Sequence, residues 1–141
     1  MKKIILLVLL VFTLSINAQH RKERIKSLKI AFITERLQLT EKEAEQFWPI
    51  YNAFEDANHE IRTKSYQNKK NIDFETISEK EAKELVDKSI ILEAQKYRLE
   101  ESFIKDLQRV LPAKKIILLK MSEEAFKQRM FDEFKKRREK P

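Results

Sequence analysis

Few side chains in this sequence have the type and spacing that chemistry requires. Its two histidines, His20 and His59, lie far apart, and the helical neighbours of His59 are Glu55 and Arg62. A zinc or nickel site needs clustered ligands, so no metal is expected and His59 reads as a solvent-facing helix residue. Cysteine is absent. That removes thiolate chemistry and disulfides, and two histidines alone do not assemble the usual nucleophile–base triads. Carboxylates are plentiful, as Glu100 beside Glu101, Glu123 beside Glu124 and Asp132 beside Glu133. Adjacent residues on a helix point in different directions, so these pairs do not converge for acid–base work. The chain also has no glycine. Phosphate-cradling loops and tight hairpin turns both lean on that residue, which argues against nucleotide binding and against a β fold. The expectation is a protein that is not an enzyme, with no cofactor.

What remains is surface chemistry. The basic run Lys135-Lys136-Arg137-Arg138-Glu139-Lys140 could meet anionic lipid or an acidic partner, or simply solvate a helix end whose dipole favours positive charge. Phe47, Trp48, Tyr51 and Phe54 fall within eight residues. They cover more than one helical face, so some must be core and others can offer an apolar contact surface.

The elements that position these groups are helical throughout. High Lys, Glu, Leu, Ile and Ala content favours helix. The first helix is expected over about 21–37, with Ile25, Leu28, Phe32 and Leu39 near one face. The second runs from Glu41 to about Asn68 on a stripe of Ala44, Phe47, Tyr51, Phe54 and Ile61. The third runs from Glu79 to about Val110, through Leu85, Leu92, Leu99, Phe103 and Leu107. The fourth starts near Pro112, in whose first turn a missing N–H costs little, and carries Ile116, Leu119, Phe126, Met130 and Phe134. Thr40 with Glu43 and Ser78 with Glu81 each spell a capping box. Pro49 sits well inside the second helix, where its ring crowds the carbonyl of Glu45, so a kink is expected there. Residues 68–77 are the one clear loop, with Ile72 and Phe74 expected to pin it. Pairs such as Glu79/Lys83, Glu84/Lys88, Glu101/Lys105, Glu123/Lys127 and Glu133/Arg137 sit four apart on wet faces, each adding only about 0.2–0.5 kcal/mol.

The amino end has a different layout. Lys2 and Lys3 precede an apolar run from Ile4 to Ile16, and Asn17-Ala18-Gln19 returns to polar residues. This is the pattern of a secretory signal peptide over residues 1–18, cleaved near Ala18, with retention as an anchor the alternative. The run is shorter than the roughly 18–20 residues a spanning helix needs. Residues 19–141 then form a single helical domain. Removing Lys2 and Lys3 from a chain of formal charge +7 leaves it at +5. Export also argues against nucleic acid as the target of the basic tail.

Leu39-Thr40-Glu41-Lys42-Glu43 resembles the LTxxQ motif of the Spy/CpxP family of periplasmic stress proteins. Its extension, Ala44-Glu45-Gln46-Phe47-Trp48-Pro49-Ile50-Tyr51, is similar to the variant found in small exported proteins of the Bacteroidetes, some named as sensors of ECF-type sigma factors. Leu111-Pro112-Ala113-Lys114-Lys115, followed by Phe126-Lys127-Gln128-Arg129, sits where the family's second motif would lie. The sequence departs from the pattern at Glu43, in place of the first motif's glutamine, and at Pro112 and Lys115, in place of the second motif's threonine and glutamine.

The resemblance implies an all-α fold: four helices in an antiparallel hairpin arrangement, a Spy-like cradle, often dimeric. Leu39, Thr40, Glu43, Leu111 and Pro112 would tie its helix junctions. The function implied is that of a periplasmic envelope-stress protein. It would act as an ATP-independent holdase for unfolded exported proteins, with Phe47, Trp48, Tyr51 and Phe54 as client contacts. The alternative is a regulatory sensor that binds the periplasmic part of an anti-sigma factor or sensor kinase.

Overall fold

The computed structural model describes residues 23–70 and 72–139. The expected signal segment, its cleavage position, His20 and the last residues of the basic tail lie outside them. The described residues form four helices and no strand. These are α1 over residues 23–37, α2 over Glu41–Lys70, α3 over Glu79–Gln108 and α4 over Ala113–Glu139. None is long and apolar enough to cross a membrane.

Each boundary has a local cause. With no glycine available, the residue after α1 that turns left-handed is Gln38, at φ 46°, and its N–H reaches the Glu35 carbonyl at 3.4 Å. For a residue with a Cβ that conformation costs roughly 1–2 kcal/mol. The expected box opens α2, and the helix carries Glu41 and Glu43 in its first turn and Lys69 and Lys70 in its last, both suited to the helix dipole. Pro49 lies inside α2 without ending it. Extended backbone at Ser78 (φ −74°, ψ 155°) starts α3 with the second box. The carbonyl of Pro112 accepts the N–H groups of Lys115 and Ile116, so Pro112 stands one residue ahead of α4 rather than in its first turn. A missing N–H is equally harmless there.

The loop before α3 is held differently from the expectation. Phe74 is 89% exposed and Ile72 is 40% exposed, so neither pins it. Asp73 does this instead. Its carboxylate accepts the N–H of Glu75 at 3.1 Å, and its carbonyl accepts those of Thr76 and Ile77. A short polar side chain that bonds its own backbone two residues on is the turn chemistry that stands in for an apolar pin.

The chain packs as two units. In one, residues 23–39 join 117–139, and Ile33, Leu37, Leu119 and Phe126 are buried. Phe32 and Phe126 meet at 5.6 Å between ring centroids. Ser122, also buried, is satisfied by donating to the Leu118 carbonyl at 2.6 Å. The expected α1 stripe is displaced here. Leu28 is exposed while Ile33 and Leu37 are almost fully covered, because Leu28 borders an open groove and burial centres one residue further round the helix. In the other unit, residues 40–116, α2 packs on α3. Its core is Phe47, Tyr51, Phe103, Leu107, Leu111 and Ile116. The first four residues of α4 belong to this unit and the rest to the first. Of the five expected pairs four apart, Glu101–Lys105 closes, at 2.6 Å. Glu123 lies 4.0 Å from Lys29 instead.

Candidate functional site

Two places in the 40–116 unit gather the residues singled out by the sequence. The first is the start of α2. The Thr40 N–H donates to Glu43 Oε2 at 2.8 Å, and the Glu43 N–H donates to Thr40 Oγ1 at 3.2 Å. These are the two reciprocal bonds of the capping box. The same Glu43 oxygen also accepts from Lys115 Nζ at 2.7 Å. Both side chains are about four-fifths shielded from solvent, which screens this pair less than an open surface pair. The Lys115 ammonium, and then the Thr40 N–H, hold the Glu43 carboxyl below the ordinary carboxylate range. A local cap thus becomes a bridge across 72 residues of sequence, from the first turn of α2 to the first turn of α4. Leu111 is buried beside this turn of chain, Leu39 is half-buried, and Pro112 is exposed. Pro112 therefore acts through its backbone and not as a packing residue.

The second place is the aromatic cluster. Phe47 is fully buried and Tyr51 is 3% exposed. Their rings lie 5.2 Å apart, and Trp48 makes edge contacts to both, at 4.8 and 5.6 Å. Tyr51 approaches Phe103 at 6.1 Å, and Phe54 stacks on Phe103 at 4.0 Å with planes 9° apart. Phe47 and Tyr51 are therefore core residues, unable to meet a partner while the helices stay packed. Positions 47, 51 and 54 follow a three–four spacing on one face of α2, and Tyr51 and Phe54 meet Phe103 of α3 from that face. Trp48 and Phe54 are half-buried and keep an edge toward solvent. Phe54 also lines a shallow depression of about 410 Å³ with Pro49, Ile50, Ala53, Leu99 and Phe103.

Sequence reasoning missed three participants. Lys115 is one, although its signal was present. Glu43 and Lys115 carry opposite charges in the first turns of two helices, and these two meet. Phe103 is the second, identified as core but not as the stacking partner of Phe54. The third is the exposed apolar surface of α3, where Val86, Ile90, Ile91 and Tyr97 are 56–71% exposed. His59 is exposed, and no group of three or more potential metal ligands gathers among the described residues.

Comparison with protein-family models, curated proteins and solved structures found no match for this chain.

Proposed function

We propose that the protein is an exported, ATP-independent holdase that retains unfolded proteins of the cell envelope, in the manner of the Spy/CpxP family that its motifs resemble. The observation that carries this reading is apolar surface left open on an otherwise charged helical unit. Val86, Ile90 and Tyr97 recur on one flank of α3 at spacings of four and seven, Phe74 is held out by its turn, and the depression beside Pro49 is lined mostly by apolar side chains, together with Ser102 and Asp106. Monomeric proteins rarely leave large contiguous apolar patches without an interaction to make. A positive chain, at +5 without its first eighteen residues, attracts flexible acidic segments over a Debye length of about 8 Å at physiological ionic strength. Apolar contact at Trp48, Phe54 and the α3 flank then holds them.

The finer architecture belongs to the same proposal. α2 and α3 form an antiparallel hairpin, a reading supported by Tyr51 and Phe54 meeting Phe103 near the end of α3 while Asn68, near the end of α2, lines a depression with Leu85 and Lys88 near the start of α3. Pro49 bends α2, and two copies associate into a cradle-shaped homodimer. The basic tail makes peripheral contact with anionic membrane, and the compartment is the periplasm.

The test is light scattering from a heat-unfolded client without nucleotide. Protection at stoichiometric ratio, weakening as salt rises, is expected. Trp48→Ala should lower protection more than it lowers thermal stability. A folded protein that protects no client and instead captures one membrane regulator would replace this reading with the sensor.

A further inference from the structure

We infer that the solvent face of α4, over residues 117–138, lies on an anionic bilayer, with Phe131 entering between the headgroups and Lys127, Lys135 and Arg138 at the level of the phosphates. This rests on the proposed membrane contact of the basic tail, to which it gives a face and an aromatic anchor.

The face is a stripe of sequence. Ile117, Glu124, Lys127, Phe131, Lys135 and Arg138 follow one another at steps of seven, three, four, four and three. Such steps keep side chains on one side of a helix. The residues that α4 turns inward are different ones. Leu119, Ser122 and Phe126 are buried, and Arg129, Met130 and Glu133 line the groove toward α1. Every member of the stripe is exposed, with Ile117 at 63% and Phe131 at 64%.

Charge selects the sign of the partner. Across residues 127–139 six basic side chains stand against three acidic ones, and none of those three acids lies on the stripe. Asp132 accepts from Gln128, Glu133 lines the groove, and Glu139 comes within 3.9 Å of Lys135. Lys127 and Arg138 make no ion pair or hydrogen bond among the described residues. The stripe's own acid, Glu124, stands a turn ahead of Lys127, so the positive end of the face is the end that carries Phe131. A basic cluster of this size on a helix that also presents apolar side chains suits anionic lipid.

Spacing selects a bilayer over an acidic protein. The apolar side chains exposed on this side of α4 are Ile117, Met121 and Phe131. They are spread along about 21 Å of helix, with charged and polar residues between them. Protein interfaces draw their energy from apolar anchors that cluster and exclude water. A fluid lipid surface needs no such cluster. Each apolar side chain enters between headgroups by itself, while lysine and arginine stems lie along the apolar layer and their charged ends stay among the phosphates. Phe131 has a lysine one turn before it and another one turn after, which is that arrangement.

The experiment moves the chain's single tryptophan onto this face. Trp48→Phe removes the native indole, and Phe131→Trp in that background reports position 131. The vesicles are equal parts phosphatidylglycerol and phosphatidylcholine, or phosphatidylcholine alone, each also prepared with brominated acyl chains. Emission from position 131 should shift to the blue on anionic vesicles and be quenched by their brominated form, and should stay unchanged on neutral ones. Glu133→Trp in the same background, on the groove side, should remain unquenched. Because the readout is local, the apolar run at the amino end does not contribute to it. Lys127→Glu combined with Lys135→Glu should weaken the response at least about tenfold, as should rising salt, with the helical circular dichroism intact because both residues are exposed. Equal quenching at positions 131 and 133 would overturn the inference. Anionic vesicles that bind the chain while position 131 stays in water would remove this face and leave the tail contact standing. No preference for anionic over neutral vesicles would remove both. Saturable binding of soluble polyglutamate with no response to vesicles would replace the bilayer with an acidic protein.

Discussion

The two capping boxes of this protein are nearly the same words in different company. Leu39-Thr40-Glu41-Lys42-Glu43-Ala44 opens α2 and Ile77-Ser78-Glu79-Lys80-Glu81-Ala82 opens α3. Both close the same reciprocal bonds, with lengths within about 0.1 Å of each other. Beyond that they diverge. Glu43 takes a third partner, Lys115, from the start of α4, and Phe47, one turn further on, is fully buried. Glu81 takes only its own Ser78, whose hydroxyl donates to it at 2.6 Å, and the turns that follow leave Val86 and Ile90 open to solvent. Local capping chemistry therefore sets where a helix begins, while tertiary company decides whether that beginning anchors the fold. The first box belongs to the anchored end of the 40–116 unit. The second belongs to the end that keeps its apolar surface available.

The largest break in that contrast comes from emptying one side of it. Phe47→Ala should cost about 3–5 kcal/mol, through lost transfer energy and the cavity left behind. Phe74→Ala and Ile90→Ala, at the open end, should stay within about 0.5 kcal/mol, as surface changes do. Equilibrium unfolding in urea measures all three. A comparable loss at Ile90 would show that the α3 flank is covered in solution, most simply by a second copy.

Helix starts were legible in the sequence because their causes are local. Thr40, Glu43, Ser78 and Glu81 fix two boundaries by side chains within three residues of the bonds they make. The four-helix class followed from composition and spacing. The register of α1 was not legible. Counting from Ile25 selects Leu28 and Phe32, whereas Ile33 and Leu37 carry the burial, and only the position of the groove beside Leu28 separates these faces. In the aromatic cluster the sequence showed that some rings must be core. It could not show which, because that depends on Phe103, fifty-two residues after Tyr51. Phe74 failed as an expected pin for a similar reason. Hydrophobicity marked it for burial, but Asp73 satisfies the turn through the backbone and leaves the ring outside.

A smaller effect sharpens the comparison at the caps themselves. Thr40→Ala should cost about 0.5–2 kcal/mol, the usual range for losing a cap side chain. Ser78→Ala should fall at the lower end, since fraying the start of α3 exposes little that is not already exposed. Thermal unfolding monitored by circular dichroism compares the two. Equal losses would mean that the Lys115 bridge adds nothing to the first box.

The smallest effect is also the most specific. Both box carboxyls sit below their ordinary value near 4.5, Glu43 through Lys115 first and Glu81 through the Ser78 hydroxyl first. A carboxyl whose folded pKa is depressed contributes stability that is fully present above its unfolded value. That contribution fades as pH falls through the folded one. Acid should therefore weaken both helix starts below about pH 4.5, and neither should change between pH 6 and 8 on this account. Lys115→Met removes the leading cause at Glu43 and leaves Glu81 untouched. Carboxyl carbon shifts followed by NMR across an acid titration should show Glu43 returning toward its ordinary value in this variant, held partly down by the Thr40 N–H. Glu81 should titrate as before. If Glu43 does not move, the bridge to α4 is absent in solution and the two boxes are equivalent. If both move, the two helix starts are coupled through α2 and α3, and the division into an anchored and an open end fails.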